Sequence, residues 1–167
     1  MAILQVSDFD SGEFSIPQDA FTDIQSYIDK YEGEYLRKLL GAELYLLFIA
    51  DLTLITPQVP QTAIYLKILE TFYTDEFGIY LESKGIKAML INFVYFHYMR
   101  EGRARKTKSG IIAPAVELGV DMGYNGYNIT ESYNWGVNTA NIIQYYVTAN
   151  YSDYPKFNGA CFDPIYL

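Results

Sequence analysis

The stretch from Ile86 to Arg103 constrains this chain more than any other. Ile86, Met89, Leu90, Phe93, Val94, Phe96 and His97 recur at helical spacing, yet they spread over more than one face. A surface helix keeps its apolar residues in one stripe, so a helix that is apolar on several sides must be packed on several sides. The pattern predicts a helix over 86–103 at the centre of the core, inside a small, mainly α-helical bundle. With 167 residues, 50% of them hydrophobic and 19% charged, the chain has the material for such a core, and intrinsic disorder is excluded.

The rest of the chain supplies helices to lay around that centre. Phe21, Ile24, Ile28, Tyr31, Tyr35 and Leu39 trace one face of an earlier helix. Ser15-Ile-Pro17-Gln18 reads as its start, with Ser and Gln three apart and Pro in the first turn. Gly33 is a point for a kink or a division, and Gly41 ends the helix before a second one over Ala42–Leu52. The prolines of Thr56–Pro60 make a turn, and Ala63–Phe72 resumes helical spacing. Phe77, Ile79 and Leu81 alternate between two glycines, which predicts a short β-hairpin near 76–84. For Gly119–Gly136 two readings stand, a loop or a helix fragmented by glycines; Val137–Tyr151 favours a helix. No repeat, low-complexity tract or linker divides the chain. The expected organisation is one domain, with an extended acidic arm (1–16), a helical core (17–150) and a C-terminal tail (151–167).

Scarce residues narrow the chemistry. There is one Cys and one His, so an intramolecular disulfide and the four-ligand zinc patterns cannot be built. Neither common phosphate-cradling glycine loop occurs. His97, in the most apolar helix, reads as a packed histidine with a hydrogen-bonding partner; Glu101 is within reach at i+4, but one pair makes no active site. Cys161, beside Phe162, reads as a small buried hydrophobe. The carboxylate pairs Asp8/Asp10, Glu32/Glu34 and Asp75/Glu76 fall where solvated charge is the normal outcome, and Asp19, Asp23, Asp29 and Glu32 fit the early turns and outer face of the first helix. The expectation is a protein that is not an enzyme and holds no cofactor or metal. The N-terminus lacks the basic and apolar regions of a signal peptide, and the apolar runs 44–55 and 88–99 fall short of the ~20 residues that span a bilayer.

Charge and aromatic content point toward contacts between proteins. Twelve basic against twenty acidic residues give a net charge of −8, which disfavours a dedicated nucleic-acid binder. The layout is uneven: eight acids against Lys30 alone before Tyr35, while Arg100, Arg103, Arg105, Lys106 and Lys108 lie within nine positions. That cluster is either a solvated helix end or a docking patch for an acidic protein partner or a nucleic-acid backbone, and in an oligomer the acidic arm of a neighbouring copy is a candidate. Seventeen tyrosines exceed what a core needs, and they gather toward the C-terminus, where interface residues of this kind bury area at small entropic cost.

Three segments together carry a resemblance. They are Tyr35-Leu-Arg-Lys-Leu-Leu-Gly-Ala-Glu-Leu-Tyr45; Phe93-Val-Tyr-Phe-His-Tyr-Met-Arg100 followed by Lys106-Thr-Lys-Ser-Gly110; and the late Tyr- and Asn-rich helix leading to Tyr154-Pro-Lys-Phe157. In this order and spacing, over roughly residues 15–157, the chain resembles the head–tail connector (adaptor) proteins of tailed bacteriophages, closest to the ring proteins of crAss-like and related phages. The resemblance implies a virion protein, made in the host cytoplasm, that forms a typically dodecameric ring beneath the portal. Such a ring extends the channel for double-stranded DNA, which passes only as cargo, and docks the next tail or stopper protein, with no membrane partner. It also implies contacts from the loop Lys106–Pro114, with Ile111 and Ile112, and from the tail, with Tyr154, Phe157, Phe162 and Tyr166. The alternative is a helical small-molecule-binding or regulatory domain with an aromatic pocket, and an enzyme working through His97 comes third.

Overall fold

The computed structural model describes residues 3–10, 14, 16, 21–76, 78–101, 105–107, 110–112 and 122–166. After a short 3-10 turn (Val6–Phe9) come α1 (Phe21–Leu40), α2 (Ala42–Ala50) and α3 (Ala63–Leu69). The hairpin β1 (Phe72–Glu76) and β2 (Ile79–Ser83) leads into α4 (Gly85–Glu101), and the short pair β3 (Arg105–Thr107) and β4 (Gly110–Ile112) precedes α5 (Met122–Ala149). The fold is mainly helical with small antiparallel hairpins, as the periodicity predicts.

The multi-sided α4 is the centre. It packs most extensively on α5 and then on α1. Phe93 shows how: its ring stacks on Tyr35 of α1 (centroids 4.0 Å apart), tilts against Tyr133 of α5 (5.2 Å) and stacks on Phe162 of the tail (5.6 Å). A Cβ on Gly136 would stand 2.9 Å from the Phe93 ring, so the missing side chain is what lets α5 approach α4.

Several boundaries differ from expectation for physical reasons. The helix expected over Ala63–Phe72 stops at Leu69, because Phe72 is taken into β1, pairs with Ser83 and buries its ring against Tyr146 of α5. The hairpin expected near 76–84 therefore begins four residues earlier, at Phe72; Phe77 lies outside the described residues. The glycines of 122–136 do not fragment α5, which is continuous. Each glycine costs about 1 kcal/mol in a helix, and packing of Val137, Ala140, Ile143 and Val147 in the core outweighs that. Helix α1 also runs unbroken through Gly33 and ends at Gly41 as expected. Ser15, Pro17 and Gln18, the proposed helix start, lie outside the described residues.

Residues 3–10 are not an extended arm. Ile3, Leu4 and Phe9 are buried in the core, and the Ile3 and Leu4 amides donate to the Glu32 carboxylate at 3.3 and 3.0 Å. Glu32, read as solvated charge on the outer face, is 2% exposed. Its position explains this: it lies four residues after Ile28 and four before Leu36, on the buried stripe. The C-terminal tail has no regular structure, yet it crosses the end of α1 and meets its last carbonyls. There the Asn158 amide donates to Leu40 O (3.3 Å) and the Ala160 amide to Lys38 O (2.8 Å). Cys161 on this strap is exposed, not buried. Tyrosines also serve the interior more than composition suggested. Tyr31, Tyr35, Tyr65, Tyr146 and Tyr154 are buried, and Tyr27, Tyr45, Tyr95, Tyr98 and Tyr133 pack against that cluster.

Candidate assembly surfaces

The outward face of α5 builds the most distinctive surface. Glu131, Trp135, Asn138, Asn141 and Tyr145 recur at helical spacing opposite the buried Val137, Ala140, Ile143 and Val147. On one side the tail forms a wall, held where Asn134 clamps the Ile165 backbone: its Nδ2 donates to Ile165 O (2.9 Å) and its Oδ1 accepts from Ile165 N (2.8 Å). On the other side β2 forms a wall, and the Tyr145 hydroxyl ties the hairpin to α5 by donating to Asp75 O of the paired strand β1 at 3.1 Å. The result is a trough of two adjoining clefts. One, of about 500 Å3, is lined by residues including Trp135, Ile165 and Tyr166. The other, of about 540 Å3, is lined by residues including Tyr80, Glu82 and Asn141. Asn138 belongs to both, so they run together. Among the described residues Glu131 and Glu82 are the charged groups lining the trough, and Glu82 is paired at 2.6 Å with Lys84 just outside it.

Large aromatic rings stand open around it: Trp135 is 56% exposed, Tyr80 81% and Tyr166 87%. The outer face of the hairpin continues the theme, since Tyr73 pairs with Glu82 and Asp75 with Tyr80 in register, alternating ring and carboxylate. Leu46 and Leu47 of α2, and Leu54 and Ile55 of the segment after it, are also exposed.

The outward face of α1 is the cationic counterpart. Lys30, Gly33, Glu34, Arg37 and Lys38 line a shallow groove turned away from the buried Ile28, Leu36 and Leu39. Lys30 reaches Glu101 at 3.6 Å, Arg37 lies over the Tyr45 ring and Lys38 over the Phe162 ring.

Of the residues singled out from sequence, Arg100 is exposed with its guanidinium over Phe96. Arg105 and Lys106 pair with Ile112 and Ile111 across β3 and β4, a hairpin where a loop and an extended segment were expected. Arg103 and Lys108 lie outside the described residues. The tail divides. Tyr154 and Phe162, expected at an interface, are buried in the chain's own core, with the Tyr154 hydroxyl donating to Ile64 O at 2.7 Å. Phe157 packs half-buried against that core, and only Tyr166 stands open. The sequence reading missed Trp135, Tyr73, Tyr80 and the Lys30–Lys38 face. A signal existed for Trp135, the one Trp, because it falls on the polar stripe of α5 rather than on the apolar one.

His97 is a packed histidine, as expected. Its Nε2 is 2.7 Å from the Tyr35 hydroxyl and the Tyr31 ring stacks on it at 3.7 Å. Nδ1 is 3.5 Å from Glu101 Oε1 and makes no hydrogen bond there, while that oxygen accepts from the Tyr31 hydroxyl at 2.5 Å. Burial, helped by nearby Arg100, pushes the imidazole down to about 4, against the opposing pull of Glu101. The ring is therefore neutral at pH 7, with one nitrogen protonated and the other bare. The folded value lies below the ordinary 6.5, so this contribution to stability is complete above pH 6.5 and is lost as pH falls through about 4. In urea denaturation, wild type should lose about 2 kcal/mol more than H97F between neutral and acid pH. Parallel pH profiles for the two proteins would contradict this.

Among the described residues no group of three or more His, Cys, Asp or Glu side chains could hold a metal ion, and no helix is long and apolar enough to cross a membrane. No family model matches the chain, and neither a curated protein nor a solved structure matches it.

Proposed function

We propose that this chain is a structural virion protein, a head–tail connector that assembles into a ring between portal and tail, extends the DNA channel and docks the next tail component. The observation that carries this reading is a filled core combined with large open aromatic and aliphatic residues on separate faces: Trp135, Tyr73, Tyr80 and Tyr166 on one, Leu46, Leu54 and Ile55 on another. Contiguous exposed apolar surface of this kind marks a protein that buries it against partners. A ring subunit needs such faces for two neighbours and for the proteins above and below it. The net charge of −8 suits a channel that lets DNA phosphates pass without retention. On this reading the cations of 100–108 serve contacts between proteins, and a ring with Arg103, Arg105 and Lys106 projecting into its lumen would refute that placement.

The cleft beside Trp135 and Tyr166 is the one feature that favours the small-molecule alternative. Ligand pockets enclose about 70–90% of their ligand, whereas both rings here face solvent, which suits a flat protein partner better. Light scattering on the purified protein, alone and with a portal ring, tests the proposal. Multi-copy assembly in either condition is the expected result. A strict monomer that also fails to bind the portal would overturn it.

A further inference from the structure

Resting on the ring reading, we propose that successive copies join flank to flank, the cationic outer face of α1 in one copy seating in the α5 trough of the next. Charge argues for this occupant first. Lys30, Arg37 and Lys38 outnumber Glu34 on the α1 face, while the described lining of the trough carries Glu131 and Glu82, the latter shared with the exposed Lys84 in a surface pair at 2.6 Å that contributes little. The Lys30–Glu101 pair does not compete strongly, because Lys30 is 56% exposed at 3.6 Å, and such surface pairs contribute little.

The aromatic rings argue for it second. Trp135 and Tyr80 present open ring faces next to these carboxylates. A cation placed over such a ring gains from its quadrupole, and Arg, Trp and Tyr dominate the energetics of interfaces. Arg37 already rests on the Tyr45 ring within its own chain, so it is held in a low-entropy, outward-facing position.

Dimensions agree. Lys30 to Lys38 covers about 12 Å of helix axis, and the trough from Glu131 to Tyr145 covers about 21 Å, at 1.5 Å per residue. Placement completes the case. The two faces belong to different helices, α1 and α5, each packed on α4. Contact between two different faces is heterologous, and a heterologous contact closes into a ring when its rotation divides a full turn without translation along the axis, and otherwise gives a filament. Pairing of one face with itself would stop at a dimer.

The test uses equal amounts of unlabelled and 15N-labelled full-length protein, with and without a portal ring, treated with a zero-length carbodiimide that joins amines to carboxylates. Mixed-isotope peptides linking Lys30 or Lys38 to Glu82 or Glu131 are expected. Two surface variants extend it. Lys30→Glu with Arg37→Glu, and Glu82→Lys with Glu131→Lys, should each weaken self-association at least tenfold, while a one-to-one mixture of the two regains assembly. Variants that assemble like wild type, or mixed-isotope links confined to other residues, overturn this interface and leave the ring reading intact. Assembly without any link between copies also overturns this interface alone, whereas a strict monomer by light scattering that fails to bind the portal overturns the ring reading, and this interface with it.

Discussion

Glu32→Ala is expected to lower the unfolding free energy by about 3 kcal/mol and to release the N-terminal segment from the body. The carboxylate is 2% exposed and its two oxygens accept the backbone amides of Ile3 and Leu4. Removing it leaves both donors buried without partners. It also unpins Ile3, Leu4 and Phe9, each buried in the core. Urea denaturation measures the loss, and hydrogen exchange at the Ile3 and Leu4 amides should accelerate to the rate of an open chain. Unchanged protection at those amides would show that apolar burial alone holds the segment. The acid also has a pH signature. Burial raises its carboxyl above the ordinary 4.5, against the pull of the two amides. An acid whose folded value is raised contributes most below the unfolded value, and that contribution is lost as pH rises through the folded one. Wild type should therefore gain stability relative to E32Q as pH is lowered into the carboxylate range.

An effect of comparable size, about 3–4 kcal/mol, is expected where the tail straps the end of α1, from Gly159→Ala or Gly41→Ala. Helix ends leave carbonyls without partners. Here Lys38, Leu39 and Leu40 are served by the Ala160 amide, the Gln144 side chain and the Asn158 amide. A Cβ on Gly159 would run into the Leu39 carbonyl, and one on Gly41 into the Asn158 backbone. Gly41 also sits at φ +78°, a conformation that disfavours any residue with a side chain. Either change pushes the strap off, so the carbonyls lose their donors and Phe162 loses its seat against Tyr35 and Phe93. Thermal unfolding and limited proteolysis of the tail measure it. Because both substitutions disrupt one contact, the double variant should cost much less than the sum. Full additivity would mean that the two glycines act through separate structures.

The candidate surfaces were legible in part. Arg100 is open, as a cluster at a helix end suggests, and Tyr166 stands at the trough rim. Tyr154 and Phe162 resemble it in type, but they are consumed by the chain's own core. An aromatic residue in an aperiodic tail gives no local sign of whether it faces inward, since nothing in its sequence neighbourhood fixes the path. Lys30, Arg37 and Lys38 look like ordinary charges of an amphipathic helix. The meaning proposed for them jointly depends on the carboxylate- and ring-lined trough on α5, a segment distant in sequence.

Local pattern alone determined the helical class, the central role of the 86–101 helix, the break at Gly41 and the presence of a hairpin. These depend on periodicity and on backbone preferences of residues close in sequence. Tertiary structure alone decided that Glu32 pins residues 3 and 4, that Phe72 leaves a helix for a strand, that α5 runs unbroken and that the tail completes the core. Each depends on a partner far along the chain, whose burial or hydrogen bonds outweigh a local preference of about 1 kcal/mol or less per residue. The helices were written in local spacing; the choice between interior and contact surface was made only when they packed.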